Sequence, residues 1–305
     1  MRRADRLQTE EVAGTKGRAA AAAAAMRKRR PSQPRDPATT GTDSGPAGRR
    51  PLRERLAARP AVDSRPVATL VRDGLELRYE VHGGSGPALL LPHLNFSWPD
   101  YLDLRPFTGR FTVITASPRG FATSSRLDAD RAYRVRDMAD DLVAVVQEVG
   151  FDRFFVLGYS FTGAFAPWIA QLTGKADAVV SGGFPIVGDY AYLYPEIHRQ
   201  SEAAKSDPAA WARVDAAFDN RAALTFYREL SELPADSLVS DLPCPLLAFW
   251  GDQDGEMGPG GTEQLASGLD RHGLKHVSFP GHDHDGMLTH LNDAVPDVVA
   301  WLDRH

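Results

Sequence analysis

The feature that most constrains this chain is the alternation of short apolar runs with helical periodicity from residue 67 onward. Runs typical of buried strands lie at 88–91, 111–116, 154–157, 178–180, 246–250 and 277–279. Helices are predicted among them over about 133–149, 161–172, 262–271 and 295–302. Strands that alternate with helices pair in parallel, because each helix returns the chain to the same end of the sheet. We therefore predict an α/β fold, with a mostly parallel doubly wound sheet and helices on both faces.

Two segments depart from this alternation. Residues 67–72 and 75–81 alternate apolar and polar side chains around Asp73-Gly74, which predicts an antiparallel hairpin at the start of the sheet. Residues from about 186 to 242 are helix-prone, rich in alanine and charge, and too long for a simple connection. We predict that they form a small helical cap over an edge of the sheet.

Charge divides the chain into two regions. Residues 1–60 contain 15 lysines and arginines but six acidic residues, whereas the remainder contains 20 basic and 34 acidic residues. The first region also has few large apolar side chains, so we expect residues 1–65 to be a disordered basic extension and residues 66–305 to be the folded domain. A body this acidic repels phosphate, which argues against a nucleic-acid partner.

Composition excludes several further classes. The chain has no apolar run near the ~18 residues of a membrane span, so no membrane partner is expected. The single cysteine, Cys244, excludes a disulfide scaffold and a cysteine zinc site, and it favours a cytoplasmic location. Nothing in the sequence indicates the oligomeric state.

The sharpest chemical signal is a serine between a predicted strand and a predicted helix, in the stretch Gly158-Tyr159-Ser160-Phe161-Thr162-Gly163. A nucleophile at such a tight turn needs small neighbours, and the helix N-terminus offers free N–H groups to a developing oxyanion. The usual pattern is Gly-x-Ser-x-Gly, from which Thr162 departs. The alternative interpretation is a serine that only caps the helix.

Two more polar clusters follow later strands. Gly251-Asp252-Gln253-Asp254 comes directly after the run at 246–250, and Pro280-Gly281-His282-Asp283-His284 comes after the run at 277–279. The carboxyl ends of parallel strands meet at one edge of a sheet, so these clusters and Ser160 are expected to converge. A metal site is not expected, because His282, Asp283 and His284 of one loop do not by themselves close a coordination sphere.

In the order serine, acid, histidine, these motifs resemble the α/β-hydrolase superfamily over residues 66–305, and so does the loop 117–124, with Ser117 where the family has aspartate. The resemblance implies a catalytic triad and no cofactor. Its implied residues are Ser160 as nucleophile, Asp254 as acid and His284, four residues after Pro280, as base. The oxyanion donors implied are the backbone N–H groups of Phe161 and Leu94. The altered sequence 91–96 also gives His93 or Asn95 a substrate-facing role.

The expected function is that of a serine hydrolase that cleaves an ester, thioester, lactone or related acyl bond of a small molecule. Aspartate at the turn would indicate dehalogenase or epoxide hydrolase chemistry, and serine argues against both. The aromatic side chains of the cap, with Phe96, Trp98 and Phe161, suggest an apolar pocket, although they could equally pack the cap onto the core. The alternatives are a non-hydrolytic ligand-binding protein and a cofactor-free cyclase or oxygenation enzyme on the same fold.

Overall fold

One sheet of eight strands organises the computed structural model, which describes residues 67–258 and 260–305. The expected disordered extension, residues 1–65, lies outside the described residues. The strands run across the sheet in the order β1-β2-β4-β3-β5-β6-β7-β8. Their bounds are β1 Ala68–Arg72, β2 Leu75–His82, β3 Ala88–Pro92, β4 Thr112–Ser117, β5 Phe154–Tyr159, β6 Ala176–Gly182, β7 Leu246–Gly251 and β8 Lys275–Phe279.

The sheet is antiparallel at one edge and parallel elsewhere, as the alternation of elements predicted. β1 and β2 form the hairpin, and β2 is also antiparallel to β4. Asp73 and Gly74 both have positive φ, 53° and 76°, which matches the turn to the twist of the two strands. From β4 onward all neighbouring strands are parallel, so the loops that leave β3, β5, β6, β7 and β8 lie at one edge.

Eleven helices are seen in the described part of the chain, and none of them is long and apolar enough to cross a bilayer. The predicted helices are present with bounds shifted by at most two residues. The short helices α1, α2 and α10 were not predicted. The bounds are α1 Trp98–Tyr101, α2 Arg105–Thr108, α3 Val135–Glu148, α4 Phe161–Thr173, α5 Leu193–Lys205, α6 Pro208–Ala217, α7 Asn220–Ser231, α8 Ser237–Ser240, α9 Gly261–Arg271, α10 His284–Thr289 and α11 Val295–Leu302.

Helices cover both faces of the sheet, and alternate side chains of each central strand enter different core layers. Leu90 of β3 belongs to the layer under α3, α4 and α9, while Leu89 and Leu91 belong to the layer under α1, α2 and α11. Because both faces are covered, β3, β5 and β7 are buried along their whole length, which explains the short apolar runs in the sequence.

Helices α5 to α8 separate β6 from β7 and are here called the helical insertion, residues 193–240. They fall within the predicted cap segment, 186–242. The insertion is joined to the sheet domain by polar contacts around Asp219, which caps α7. The backbone N–H of Asp219 donates to the carbonyl of Gly120 at 2.7 Å, and its carboxylate accepts from the Tyr133 hydroxyl at 2.9 Å.

Candidate active site

Ser160 lies on a strained turn between β5 and α4. Its φ and ψ are 56° and −124°, a conformation that side-chain-bearing residues rarely adopt outside functional turns. The turn is tight enough to require glycine on both sides. A β-carbon on Gly158 would lie 2.0 Å from the carbonyl oxygen of Thr162, and one on Gly163 would lie 2.3 Å from that of Gly182.

Thr162, the departure from the usual serine turn, stabilises the turn with its hydroxyl. Its Oγ1 accepts a hydrogen bond from the Tyr159 N–H at 2.7 Å and donates one to the Tyr159 carbonyl at 2.8 Å. The side chain is fully buried. The glycine that close packing demands is therefore Gly163, three residues after the serine, and Thr162 fills a position where a small hydrogen-bonding side chain fits.

Ser160, His284 and Asp254 form a continuous hydrogen-bonded chain. The Ser160 Oγ lies 2.9 Å from His284 Nε2, and His284 Nδ1 lies 2.9 Å from Asp254 Oδ2. Asp254 is 3% exposed, so this carboxylate has little solvation other than its hydrogen bonds. A carboxylate only accepts, so we assign the proton of the neutral ring to Nδ1, which leaves Nε2 to accept the proton of Ser160. The structure thus brings together all three residues of the expected triad.

His284 is the first residue of helix α10, which was not predicted from the sequence. Asp283 caps that helix, and its Oδ1 accepts the Gly286 N–H at 2.7 Å. The segment turns here because a short polar side chain satisfies a free N–H of the first turn. The Tyr159 hydroxyl also donates to the carbonyl of His284 at 2.8 Å, so the residue before the serine holds the histidine backbone.

The electrostatic surroundings favour a protonated His284. Burial opposes the charge on the ring, but the hydrogen bond and charge of Asp254, with the charges of Glu256 and Asp285, outweigh it, and the pKa of His284 is raised. Glu256 Oε2 lies 3.7 Å from His284 Nε2. The sequence offered Glu256 only as a less suitable candidate for the triad acid, and its approach to the histidine depends on the turn that follows Asp254.

The other acid and the other histidine of these loops have different partners. Asp252 Oδ1 accepts the Gly281 N–H at 2.7 Å. His282 Nε2 lies 3.6 Å from Asp293, and its ring centroid lies 4.9 Å from that of His290. Neither Asp252 nor His282 joins the chain that reaches Ser160.

Backbone hydrogen bonds join the acid loop to the histidine loop. The Asp252 N–H donates to the Phe279 carbonyl and the Gln253 N–H donates to the His282 carbonyl, both at 3.0 Å. Gly251 allows this approach, since a β-carbon there would lie 2.1 Å from the His282 carbonyl oxygen. The spacing between Asp254 and His284 therefore depends mainly on main-chain contacts.

The expected oxyanion donors lie at the ends of adjacent strands. β3 and β5 are parallel neighbours that end at Pro92 and Tyr159, so Leu94 and Phe161 each lie two residues beyond a strand end at the same edge of the sheet. Within the described residues, the backbone N–H groups of Leu94 and Phe161 donate to no other residue. Both are thus available to a ligand at this edge of the sheet.

His93 and Asn95, the expected substrate-facing residues, flank Leu94. The His93 side chain is half-buried, and burial lowers the pKa of its imidazole, against the opposing charge of Asp100. Asn95 is exposed. Neither side chain hydrogen-bonds to another described residue, so their role toward substrate stays a prediction.

The aromatic side chains proposed for an apolar pocket mainly pack the core. Trp98 is buried and its indole N–H donates to the Pro92 carbonyl at 2.8 Å, and Phe96 packs edge-on against it. Phe161 contacts Phe226 and stacks on Tyr227 of the helical insertion, with centroids 4.5 and 5.0 Å away. Of the two interpretations, packing thus describes Trp98, Phe96 and Phe161 well.

A separate cavity of about 220 Å³ lies beside the acid loop. It is formed by the segments that follow β6 and β7, and its lining includes Val187, Asp189, Tyr192, Met257 and Leu265.

Within 67–258 and 260–305, no three histidine, cysteine or acidic side chains are grouped so as to hold a metal ion.

Comparison with known proteins agrees with the fold that the sequence predicted. A family model described as the alpha/beta hydrolase fold matches residues 81–183, which include the Ser160 turn. Epoxide hydrolase A of Mycobacterium tuberculosis is 32% identical over 114 residues, which are 36% of this chain and 34% of that protein. The chain therefore matches about a third of the length of this curated relative.

Solved structures extend the similarity to most of the chain. A hydrolase from Pseudomonas aeruginosa PA01 superposes with a TM-score of 0.60 at 19% identity, covering 77% of this chain and 98% of that one. A thermophilic esterase from Thermogutta terrifontis gives 0.59 at 18% identity, covering 79% and 99%. At such identities these two show a shared fold alone. Together with the matched region 81–183 and the eight-stranded sheet, they show that the chain has the alpha/beta hydrolase fold.

Proposed function

We propose that the protein is a serine hydrolase that cleaves an ester, thioester, lactone or related acyl bond of a small molecule through an acyl-enzyme. The observation that carries this proposal is the hydrogen-bonded chain from Ser160 through His284 to the buried Asp254. A serine hydroxyl is a weak nucleophile unless a base removes its proton as it attacks, and His284 Nε2 is within hydrogen-bonding distance of that proton.

The proposed reaction needs only side-chain and backbone groups of this chain and water. Ser160 attacks the carbonyl carbon while His284 takes its proton, and the N–H groups of Phe161 and Leu94 stabilise the oxyanion. His284 then protonates the departing oxygen, nitrogen or sulfur, which leaves the acyl group on Ser160. Water, deprotonated by the same histidine, cleaves the acyl-enzyme and restores the hydroxyl. Asp254 keeps the imidazole in the required tautomer throughout.

Epoxide opening, the activity in the printed name of the Mycobacterium tuberculosis relative, fits Ser160 less well. A carboxylate that opens an epoxide forms an ester, which activated water can cleave. A serine would form an ether instead, and the acid–base groups of this site give no route to cleave it. The nucleophile type therefore supports acyl transfer over epoxide hydrolysis.

The test is labelling with a fluorophosphonate probe, followed by a p-nitrophenyl ester series of increasing acyl chain length. We expect the probe to modify Ser160 and the Ser160→Ala protein to lose about 10⁶-fold in kcat, because a triad without its nucleophile keeps only binding and oxyanion stabilisation. Absence of labelling would refute the proposal and favour the ligand-binding alternative. Labelling without hydrolysis of any ester would favour the cyclase or oxygenation alternative.

A further inference from the structure

Glu256 places a carboxylate next to the reacting nitrogen of the site. Its backbone N–H donates to Asp254 Oδ1 at 2.9 Å, which fixes its position relative to the triad, and its Oε2 lies 3.7 Å from His284 Nε2. The side chain is 70% exposed. Within the described part of the chain, no lysine or arginine pairs with it. Its negative charge can therefore interact with a cation on a bound ligand.

The leaving group of the proposed reaction must pass close to this carboxylate. Nε2 donates the proton to the departing atom, so that atom lies within about 3 Å of Nε2 in the productive complex. Added to the 3.7 Å between Nε2 and Oε2, this keeps the departing atom within about 7 Å of the Glu256 charge. A substituent two or three bonds further along the leaving group can approach the carboxylate directly.

Aromatic rings lie next to the nucleophile. Tyr227 stacks on Phe161, the residue next to the serine, at 5.0 Å and an interplanar angle of 24°. Burial, followed by the charge of Glu256, raises the pKa of the Tyr227 phenol. An organic cation gains both from a nearby carboxylate and from the face of an aromatic ring.

We propose that Glu256 makes this site selective for acyl esters whose leaving alcohol carries a positive charge, such as a substituted ammonium group. This inference rests on the proposed function. The ester bond breaks after Ser160 attacks, the alcohol leaves with the proton from Nε2, and water later releases the acid. A carboxylate or phosphate on the leaving group is repelled by the same charge.

The expected preference is modest because Glu256 is mostly in solvent. Coulomb's law at water-like dielectric gives about a five- to tenfold preference for a cation about 4 Å away. The preference decreases as ionic strength rises, since salt screens exposed charges over about 10 Å at 0.1 M and about 3 Å at 1 M.

The experiment compares two esters of one acid, with choline and with its neutral isostere 3,3-dimethylbutan-1-ol. The acyl chain is the one turned over fastest in the p-nitrophenyl series, and acid release is followed by pH-stat. The readout is the ratio of kcat/KM for the two esters, in which a general effect of a mutation on His284 cancels. We expect a ratio of about five to ten in the native chain at low salt, and a ratio near one for Glu256→Gln.

Glu263→Gln is the matched control, because it removes the same charge from an exposed position in the first turn of α9. We expect it to keep the native ratio. A native ratio below about two would overturn the inference, and so would a ratio that Glu256→Gln leaves unchanged. In both cases, hydrolysis of the neutral ester would still support the proposed function. Turnover of p-nitrophenyl esters with neither alcohol ester accepted would also overturn it. Failure to hydrolyse any ester would refute the proposed function itself.

Discussion

His282 and His284 are two positions apart and have different surroundings. His284 is bonded to Ser160 and Asp254, whereas His282 lies near Asp293 and His290. The resemblance implied His284 as the base by its distance from Pro280. His284 does contact the serine, and it does so from the first residue of a helix that was not predicted.

The two histidines can be separated by a pair of substitutions. We expect His284→Ala to lower kcat/KM for an activated ester by about 10⁴-fold or more, because it removes the base that activates the serine. His282→Ala should keep most of the activity. The measurement is a steady-state assay of both proteins on one p-nitrophenyl ester, with circular dichroism as the folding control. The reverse ranking would refute the assignment of the base.

The pH dependence of kcat/KM reports the acidic surroundings of His284. Protonated imidazole cannot accept the serine proton, so activity is lost as pH falls through the pKa of His284. Acidic neighbours raise that pKa, so the acid limb should lie above the ordinary histidine value of about 6.5. Glu256→Gln removes one of these charges and should move the limb to lower pH. A limb that stays in place would show that Glu256 does not act on the ring.

At the scale of single residues, the sequence predicted which residues follow the strand ends. It did not predict which side chains come close to one another. Ser160, Asp254 and His284 each follow a strand of a parallel sheet, and that placement alone brings them to one edge. Glu256 reaches the histidine only because a turn after Asp254 directs its side chain back. No periodicity or composition carries that information.

At the scale of elements, the contact between β5, α4 and β6 depends on the absence of a side chain at Gly163. We expect Gly163→Ala to destabilise the protein by about 1–3 kcal/mol, because a β-carbon would meet a backbone carbonyl that cannot move independently. The same substitution should also lower kcat/KM, because the shifted backbone lies one turn from Ser160.

Gly109→Ala is the control for this substitution. Gly109 has a φ of −73° and open space around its β-carbon position, so alanine should be neutral or slightly stabilising there. Chemical denaturation of both variants, with the ester assay alongside, measures the two effects. Equal stability of the two proteins would show that the turn can relax around an added methyl group.

The bounds of a helix could be predicted where apolar residues recur at helical spacing over several turns. Helix α3 buries six apolar side chains, and the sequence predicted its bounds within two residues at each end. Helix α10 has six residues and a single buried side chain, Met287. Its start depends on the Asp283 cap, a local hydrogen bond that resembles an ordinary polar turn in the sequence.

At the scale of the whole molecule, two core layers on opposite faces share the central strands. Trp301 of α11 is 5% exposed in the layer under α1, α2 and α11, whereas Trp211 lies on α6, a helix without buried residues. We expect Trp301→Ala to cost about 3–5 kcal/mol and to lower Tm by roughly 6–20 °C. Trp211→Ala should lower it much less. Thermal unfolding of both variants tests this, and similar shifts would contradict the described packing.

The main-chain bonds between the acid loop and the histidine loop bear on how this protein can change over generations. Asp252 and Gln253 donate to carbonyls of the histidine loop through their backbone N–H groups, so most side chains there can be exchanged without separating the triad. Selectivity can therefore diverge by mutation of residues such as Glu256 while the reaction is retained. In directed evolution, libraries at exposed positions of these loops should yield many active variants, and Gly251 should tolerate almost no replacement.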